Sequence, residues 1–363
     1  MLTGIVFLLI LTTAVLVHEL AHYWNAKSVG LPVKAFSIGM GPVIWRKQWR
    51  ETEWRIAALP IGGYVDIPGM APRQDEMGNL HHPSEGFATK KLWQKLWVLV
   101  GGVLANYILA ILLLSLVIML EPGYRELTSG VPTEVSGSKV AEVIFGKTAE
   151  DVGVQKDDII LSINGVENPA PQQVTDAIRT TNGSLDFVLE RKGEKVELSV
   201  PWPPEGVSER PLFGVQLAAL NVTLPPKVNY FQALGEVSRF SIRIIPESLK
   251  GFVGGIGSAF KGEQNSNVAG PIGIVGAVNQ ATKVGIIPVI ALAALINFSL
   301  AIFNLLPIPG LDGGRMLLST IIAIRGKPFK PGQEEFIHFL GFVSVLGLML
   351  LITFNEMAGL FRN

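Results

Sequence analysis

Two histidines with the spacing of a metal-ligand pair lie inside an apolar segment. The motif HELAH begins at His18 and follows an almost unbroken apolar run from Leu2 to Val17. Residues four apart share one face of a helix, so His18 and His22 can bind one metal ion with Glu19 beside them. Ionisable groups in lipid are costly and usually functional. The motif therefore predicts a metalloenzyme site within a bilayer, and a chance match in a membrane helix is the alternative.

The composition also indicates a membrane protein. The 363 residues are 48% hydrophobic and only 17% charged, below the roughly 25% of a soluble domain. Four apolar runs, about 3–26, 96–120, 284–306 and 337–354, each approach the ~20 residues that cross a bilayer. We therefore expect a polytopic α-helical membrane protein. Because basic and acidic residues balance and cysteine is absent, we expect no nucleic-acid partner and a metal held by His, Asp or Glu.

Basic residues in the loops predict the orientation. Lysines and arginines are frequent between the first two runs and again between the last two. The positive-inside rule then places these loops in the cytoplasm, and the termini and the segment 121–283 outside. His18 would lie roughly 24 Å along the first span, toward the cytoplasmic side, because each helical residue rises by ~1.5 Å.

The chain between the first two spans has strand-like composition. Residues 36–45 and 53–60 alternate apolar residues with others in the way strands do, and Gly62 and Gly63 follow. Non-helical backbone is tolerated at membrane depth where protein or a water-filled cavity surrounds it. We interpret 33–66 as a re-entrant β-element near the metal. A β-hairpin on the cytoplasmic membrane surface is the alternative.

A globular domain is predicted outside the membrane at 121–205. A short helix near Ala149 precedes an alternating strand that ends at Asn164-Gly165, and two further strands flank the turn at Gly193. The pattern resembles a PDZ domain, which can bind an extended peptide at a sheet edge; a plain β-rich spacer is the alternative. The linker 206–283 contains an amphipathic stretch at 229–260, expected either on the outer membrane surface or packed on the PDZ domain.

A third metal ligand is expected from the segment NLLPIPGLDGG, residues 304–314. It places Asp312 where prolines and glycines interrupt an apolar helix. An acidic side chain at a membrane helix needs a partner, and the two histidines would complete three ligands with an open position for water. Asp312 could instead cap a helix at the cytoplasmic interface.

Six motifs together resemble the site-2 intramembrane metalloproteases. They are HELAH, FSIGMGP, LPIGGYV, GGVLAN, GPIGI and NLLPIPGLDGG, and they run through nearly the whole chain. The closest similarity is to the bacterial branch that includes the regulator of sigma-E protease. The resemblance implies Zn²⁺ bound by His18, His22 and Asp312, and Glu19 as the catalytic base. It also implies that Asn304, Gly62 and Gly63 bind the unwound substrate.

The resemblance further implies what the protein acts on. Its partners would be the lipid bilayer and single-pass membrane proteins already cut outside the cell membrane, either anti-sigma factors or remnant signal peptides. The sequence departs from the family pattern in having one PDZ domain, Asp66 in place of Lys and Val103 in place of Pro. A non-hydrolytic scaffold that binds peptides through its PDZ domain is the alternative function. The expected organisation is 1–120, 121–205, 206–283 and 284–363, with the first and last segments forming the membrane part.

Overall fold

The structure is a computed structural model that describes residues 2–70, 73–74, 80–81, 85–131, 133–204, 211–261, 269–327, 329–330 and 332–360. The chain folds into two compact units. The first, here the helical unit, comprises residues 1–121 and 228–363, and the second, here the inserted unit, comprises residues 122–227. Two distant stretches of sequence therefore build the helical unit together.

The helices are α1 (Leu2–Ser28), α2 (Leu92–Leu120), α3 (Arg125–Ser129), α4 (Thr148–Asp151), α5 (Pro171–Thr180), α6 (Tyr230–Phe260), α7 (Pro271–Val284), α8 (Ile286–Leu305), α9 (Asp312–Arg325) and α10 (Gln333–Leu360). The strands are β1 (Ala35–Trp49), β2 (Thr52–Asp66), β3 (Arg73–Gln74), β4 (Leu80–His81), β5 (Glu134–Val143), β6 (Ile159–Ile163), β7 (Val166–Glu167), β8 (Gly183–Arg191), β9 (Glu194–Trp202) and β10 (Val215–Thr223).

Four helices of the helical unit are long and apolar enough to cross a membrane. They are α1, α2, α8 and the Phe336–Ala358 part of α10, which coincide with the four apolar runs predicted from sequence. Each helix has at least the ~20 residues of a span, and only a minority of the residues in its most apolar part are buried. The predicted number of candidate spans is confirmed for the described residues.

The predicted linker contributes two helices to the helical unit. Asn229 begins α6, because its side chain accepts a hydrogen bond from Gln232 N and the Gln232 side chain accepts one from Asn229 N. Along its length α6 packs against α2, where Tyr107 and Ser241 share a hydrogen bond of 2.7 Å. At its end, Asn355 of α10 donates to Ala259 O. The amphipathic stretch is thus one helix that packs on two of the candidate spans.

The predicted β-element is an irregular pair of strands. β1 and β2 turn at Arg50, and Ala35–Ile38 pairs with residues 53–56 as well as with residues 63–66. The second half of β2 lies along α1, where Thr12 Oγ1 donates to Pro60 O at 3.1 Å. A Cβ at Gly63 would lie 2.8 Å from Ser37 O and 3.6 Å from Glu19 Cγ. The close pairing of β2 with β1 therefore requires glycine at this position, and α1 packs on the same spot.

The inserted unit consists of an antiparallel sheet and the short helices α3, α4 and α5. Its strand order is β10-β5-β6-β8-β9, with β7 paired to β6. The predicted strands and the Asn164-Gly165 turn are present, and Trp202 and Phe187 lie in the core. The unit extends beyond the predicted end at 205, because β10 pairs with β5 across more than seventy residues of sequence. Residues 205–210 lie outside the described chain.

Candidate active site

The two histidines and the aspartate predicted as metal ligands meet in the helical unit. His18 and His22 are one turn apart on α1, and their Nε2 atoms are 3.1 Å from each other. Asp312 Oδ2 lies 3.1 Å from Nε2 of His18 and 3.3 Å from Nε2 of His22. It is buried, yet it accepts no hydrogen bond of normal geometry from the described residues. Three atoms with lone pairs therefore face one another, and a cation bound between them would stabilise this arrangement.

The separations of these three atoms fit a zinc site. Ligand atoms at 2.0–2.1 Å from a tetrahedral ion are about 3.3–3.4 Å apart, and the three observed separations are 3.1, 3.1 and 3.3 Å. Two imidazole nitrogens and one carboxylate form a donor set suited to zinc rather than to magnesium or calcium, which prefer oxygen ligands. Three protein ligands also leave a fourth position free, as in catalytic zinc sites.

Two contacts from α2 hold the histidines in place. Val98 O lies 2.8 Å from His22 Nδ1, so this nitrogen carries the proton and Nε2 keeps its lone pair for a metal. Gly102 lies against the ring of His18, where an added Cβ would be only 2.5–2.6 Å from the ring atoms. The ligand pair therefore depends on a carbonyl and a glycine of the neighbouring helix.

The three predicted ligands line a cavity of about 300 Å³. Glu19 also lines it, next to the ligands, and Asn304 reaches it from the end of α8. Of the two glycines predicted to bind substrate, Gly63 lies behind Glu19, and Gly62 packs against the side chain of Met40. The lining residues are His18, Glu19, His22, Tyr64, Val65, Ile67, Met70, Asn304, Gly310, Leu311, Asp312 and Arg315.

Comparison with known proteins gives the family. The sequence profile of peptidase family M50 matches residues 6–348. The chain belongs to this family. The zinc metalloprotease RasP of Shouchella clausii is 27% identical over 99% of both chains. Eep of Enterococcus faecalis, provisionally named as a protease, is 27% identical over 99% of this chain and all of its own. A protein of Agrobacterium fabrum, provisionally named as a zinc metalloprotease, is 30% identical over 99% of this chain and 97% of its own.

The family confirms the function class predicted from the sequence motifs. The protein is an intramembrane zinc metalloprotease of the M50 family, a multi-pass membrane protein with zinc as its cofactor. The similarity to the site-2 proteases is likewise confirmed. The alternative of a scaffold without hydrolytic activity does not agree with these comparisons.

The loop before α9 brings Asp312 of the M50 protease to the histidines. α8 ends at Leu305, and Asp312 is the first residue of α9 rather than the end of the preceding helix. A Cβ at Gly313 would lie 2.2 Å from Leu306 O, and one at Gly314 would lie 2.1 Å from Ile308 O. Because neither glycine has a side chain, the first turn of α9 packs directly on the loop. Asp312 therefore begins α9 beside the two histidines, but it is not the capping residue of the alternative interpretation, because Leu311 holds the N-cap position and no side chain of the described residues caps the helix.

Helix α10 supports the loop between α8 and α9, and the sequence did not predict this contact. Gly310 N donates to Nδ1 of His338 on α10 at 3.0 Å. A Cβ at Gly341 would overlap Pro309 O, at 1.9 Å. The glycine pairs Gly101-Gly102 and Gly313-Gly314 were the available signal for such close packing, since small residues let membrane helices approach each other. Nothing in the sequence indicated which elements would meet there.

Proposed function

We propose that His18, His22 and Asp312 bind the zinc ion of this protease, that Glu19 is its catalytic base, and that its substrates are transmembrane segments of single-pass membrane proteins. The observation that carries the proposal is the convergence of the three candidate ligand atoms within 4.8 Å of one another, on the wall of a cavity that Glu19 also lines. The histidines and Glu19 belong to α1, which is itself a candidate span. The reaction would therefore take place at a membrane-spanning helix.

The chemistry of the chain's own residues follows from their positions. When bound, zinc supplies a Lewis acid that polarises a peptide carbonyl and makes water more acidic. Glu19 accepts a proton from the attacking water and then gives it to the departing amine. Gly63 lies next to Glu19, since a Cβ at residue 63 would be 3.6 Å from Glu19 Cγ. Val98 O fixes the tautomer of His22, which keeps the ligand nitrogen available.

We propose that the substrate binds as an extended strand. A transmembrane helix hides its carbonyls in hydrogen bonds to residues four positions away, so it must unwind before hydrolysis. Residues 63–66 pair with β1 on one side, and Tyr64 and Val65 also line the cavity. Added main-chain hydrogen bonds along this segment could hold an unwound substrate. The amide of Asn304, on the cavity wall, could bind freed backbone groups.

Reconstitution with a defined substrate tests this proposal. We expect cleavage of a single-pass protein within its transmembrane segment, loss of cleavage with a zinc chelator and recovery with added zinc. Each Gly costs a helix about 1 kcal/mol relative to Leu, so two glycines at the cut position should speed cleavage by up to roughly 30-fold. The matched control carries the same two glycines near the far end of the segment. Equal rates for both substrates would contradict the requirement for local unwinding.

We propose that the inserted unit is a single PDZ domain that selects substrates. A groove of about 450 Å³ runs between α5 and the residues that lead into β10. β10 is at one end of the strand order, so its free edge could pair with an extended peptide. Arg179 lines the groove and could bind a peptide carboxylate. Such selection fits substrates already trimmed outside the membrane, whether anti-sigma factors or remnant signal peptides.

Deletion tests this assignment. We expect a chain with residues 122–227 replaced by a flexible linker to retain zinc and to cut a transmembrane peptide that is already unwound. Its choice among full-length substrates should be broader, because all cavity residues belong to the other unit. If the shortened protein binds zinc yet cuts no peptide, the inserted unit contributes to the chemistry and the assignment is wrong.

We propose that the inserted unit and both termini are extracytoplasmic and that the metal site is nearer the cytoplasm. Labelling can test this, because the chain has no cysteine and single cysteines can replace the exposed residues Glu194 and Lys327. In intact cells an impermeant thiol reagent should label Glu194→Cys and leave Lys327→Cys unlabelled, while both should react after lysis. The reverse pattern would overturn the orientation.

A further inference from the structure

One charged side chain of the cavity has no role in the chemistry described so far. Arg315 lies on α9 one turn after Asp312, and this spacing places both side chains on the same face of the helix. It is half-buried and lines the cavity together with Glu19 and the three metal ligands. Its guanidinium makes no hydrogen bond or ion pair with any residue in the described parts of the chain.

The guanidinium of Arg315 is available to a group that enters the cavity. Arginine has five N–H donors in a rigid plane, which suits oxygen-bearing groups, and a half-buried arginine on a cavity wall can present these donors to the cavity. Two other arginines show the usual arrangement. Arg55 bonds both Glu53 and Tyr64, and Arg191 makes a two-pronged ion pair with Asp158. The missing partner of Arg315 is therefore expected to be an oxygen-bearing group that enters the cavity.

Glu19 is not that partner. The charges of Arg315 and Glu19 are close enough to interact, but no hydrogen bond joins the two side chains in the described structure. A carboxylate bound tightly to arginine would also be a weaker base, because the positive charge stabilises its ionised form. The arrangement leaves Glu19 able to take a proton and leaves the donors of Arg315 available to another group.

We infer that Arg315 is a further catalytic residue, which donates N–H hydrogen bonds to the carbonyl oxygen of the scissile peptide bond. The inference rests on the proposed function of this cavity. When water attacks, its oxygen lone pair forms the new C–O bond and the C=O π electrons move to the carbonyl oxygen. The water proton goes to Glu19, and it reaches the amine nitrogen when the C–N bond breaks. Arg315 gives up no proton and faces the oxygen on which negative charge develops.

This role predicts an effect on the rate of the chemical step rather than on substrate binding. A donor held in place before the reaction interacts more strongly with a developing oxyanion than with a neutral carbonyl. Losing one such donor typically lowers kcat by about 10²- to 10³-fold. If Arg315 bound the ground state and the transition state equally, its loss would raise KM and leave kcat unchanged.

The test compares three variants of the full-length protein in detergent micelles. Arg315→Met removes the charge and keeps an apolar stem, and Arg315→Lys keeps the charge but loses the planar fork. The matched control is Arg325→Met, which removes the same charge from the exposed last turn of the same helix. For each variant we would measure zinc content, kcat, KM and the affinity of a peptide phosphonamidate, whose tetrahedral anionic phosphorus group imitates the transition state.

We expect Arg315→Met to keep its zinc and its KM while losing about 10²- to 10³-fold in kcat. Phosphonamidate binding should weaken by a similar factor. Arg315→Lys should lie between this variant and the wild type, and Arg325→Met should match the wild type. Unchanged kcat and phosphonamidate binding in Arg315→Met would overturn the inference, as would a change confined to KM. Glu19→Gln, assayed alongside, separates the proposed function from the role of Arg315. If Glu19→Gln still turns over substrate, the proposed function is wrong. If Glu19→Gln is inactive and Arg315→Met is fully active, only the role of Arg315 is wrong.

Discussion

Glu19→Gln is expected to lower turnover by at least about 10³-fold while the zinc content stays at the wild-type level. Glutamine keeps the size of glutamate and its hydrogen-bonding oxygen, but its amide cannot accept the proton of the attacking water. Glu19 is not one of the three groups whose atoms converge at the metal site, so metal binding should survive. The measurements are cleavage of a reconstituted single-pass substrate and metal analysis of the same protein sample.

A second carboxylate offers a matched control for this variant. Glu356 lies on α10, another candidate span, and its Oε1 accepts from Gly270 N at 2.7 Å and from Gly273 N at 3.2 Å. The amide oxygen of glutamine can accept the same two bonds, so Glu356→Gln should cleave at close to the wild-type rate. Wild-type turnover by Glu19→Gln would remove Glu19 from the mechanism. Asp312→Ala, in contrast, should lose zinc, because it removes a ligand.

Gly102→Ala is expected to reduce zinc affinity by about 10- to 100-fold, although residue 102 cannot itself bind metal. The added methyl would be placed 2.5–2.6 Å from the ring of His18, which is well inside van der Waals contact. Either His18 rotates away from the shared metal position, or α1 and α2 separate. Separation of the helices would also disturb the contact between Val98 O and His22. Zinc content after dialysis against a graded series of chelator concentrations measures the effect.

The matched control is Gly347→Ala in α10. It adds the same methyl group to another candidate span, at a place where nothing lies within 4 Å of the new atom. Alanine is also the better helix former, so this variant should bind zinc and cut substrate as the wild type does. If Gly102→Ala matched Gly347→Ala in both zinc binding and substrate cleavage, the close packing between α1 and α2 would not determine the geometry of the proposed ligands.

The local features of this protein could be predicted from its sequence. An apolar run long enough to cross a bilayer is a property of consecutive residues, so the four candidate spans were found without any tertiary information. The same holds for the histidine pair, because a helix places residues four apart on one face. The strands β8 and β9, joined by a tight turn at Gly193, were predicted for the same reason.

Pairings between distant segments could not be predicted in this way. β10 is separated from β5 by most of the inserted unit, and nothing near Val215 indicates which strand it joins. The apolar run at 284–306 matched α8, but the sequence did not reveal that a separate helix, α7, precedes it with a break at Gly285. The sequence also did not predict that Ala35–Ile38 pairs with two parts of β2, residues 53–56 and residues 63–66. These features depend on which surfaces meet, and a one-dimensional pattern does not contain that information.

The candidate site also combines features that the sequence predicts with features that depend on tertiary packing. The sequence alone determined the types of ligand, because HELAH and LDGG supply two imidazoles and a carboxylate in segments that belong near a membrane. Only the tertiary structure decided their distances, since His18 and Asp312 are almost three hundred residues apart and converge through the packing of α9, α1 and α2. It also decided that Arg315 lies on the cavity wall without a partner in the described chain. Residue types are set by covalent chemistry, whereas separations of about 3 Å between remote side chains arise only when the backbones that carry them pack together.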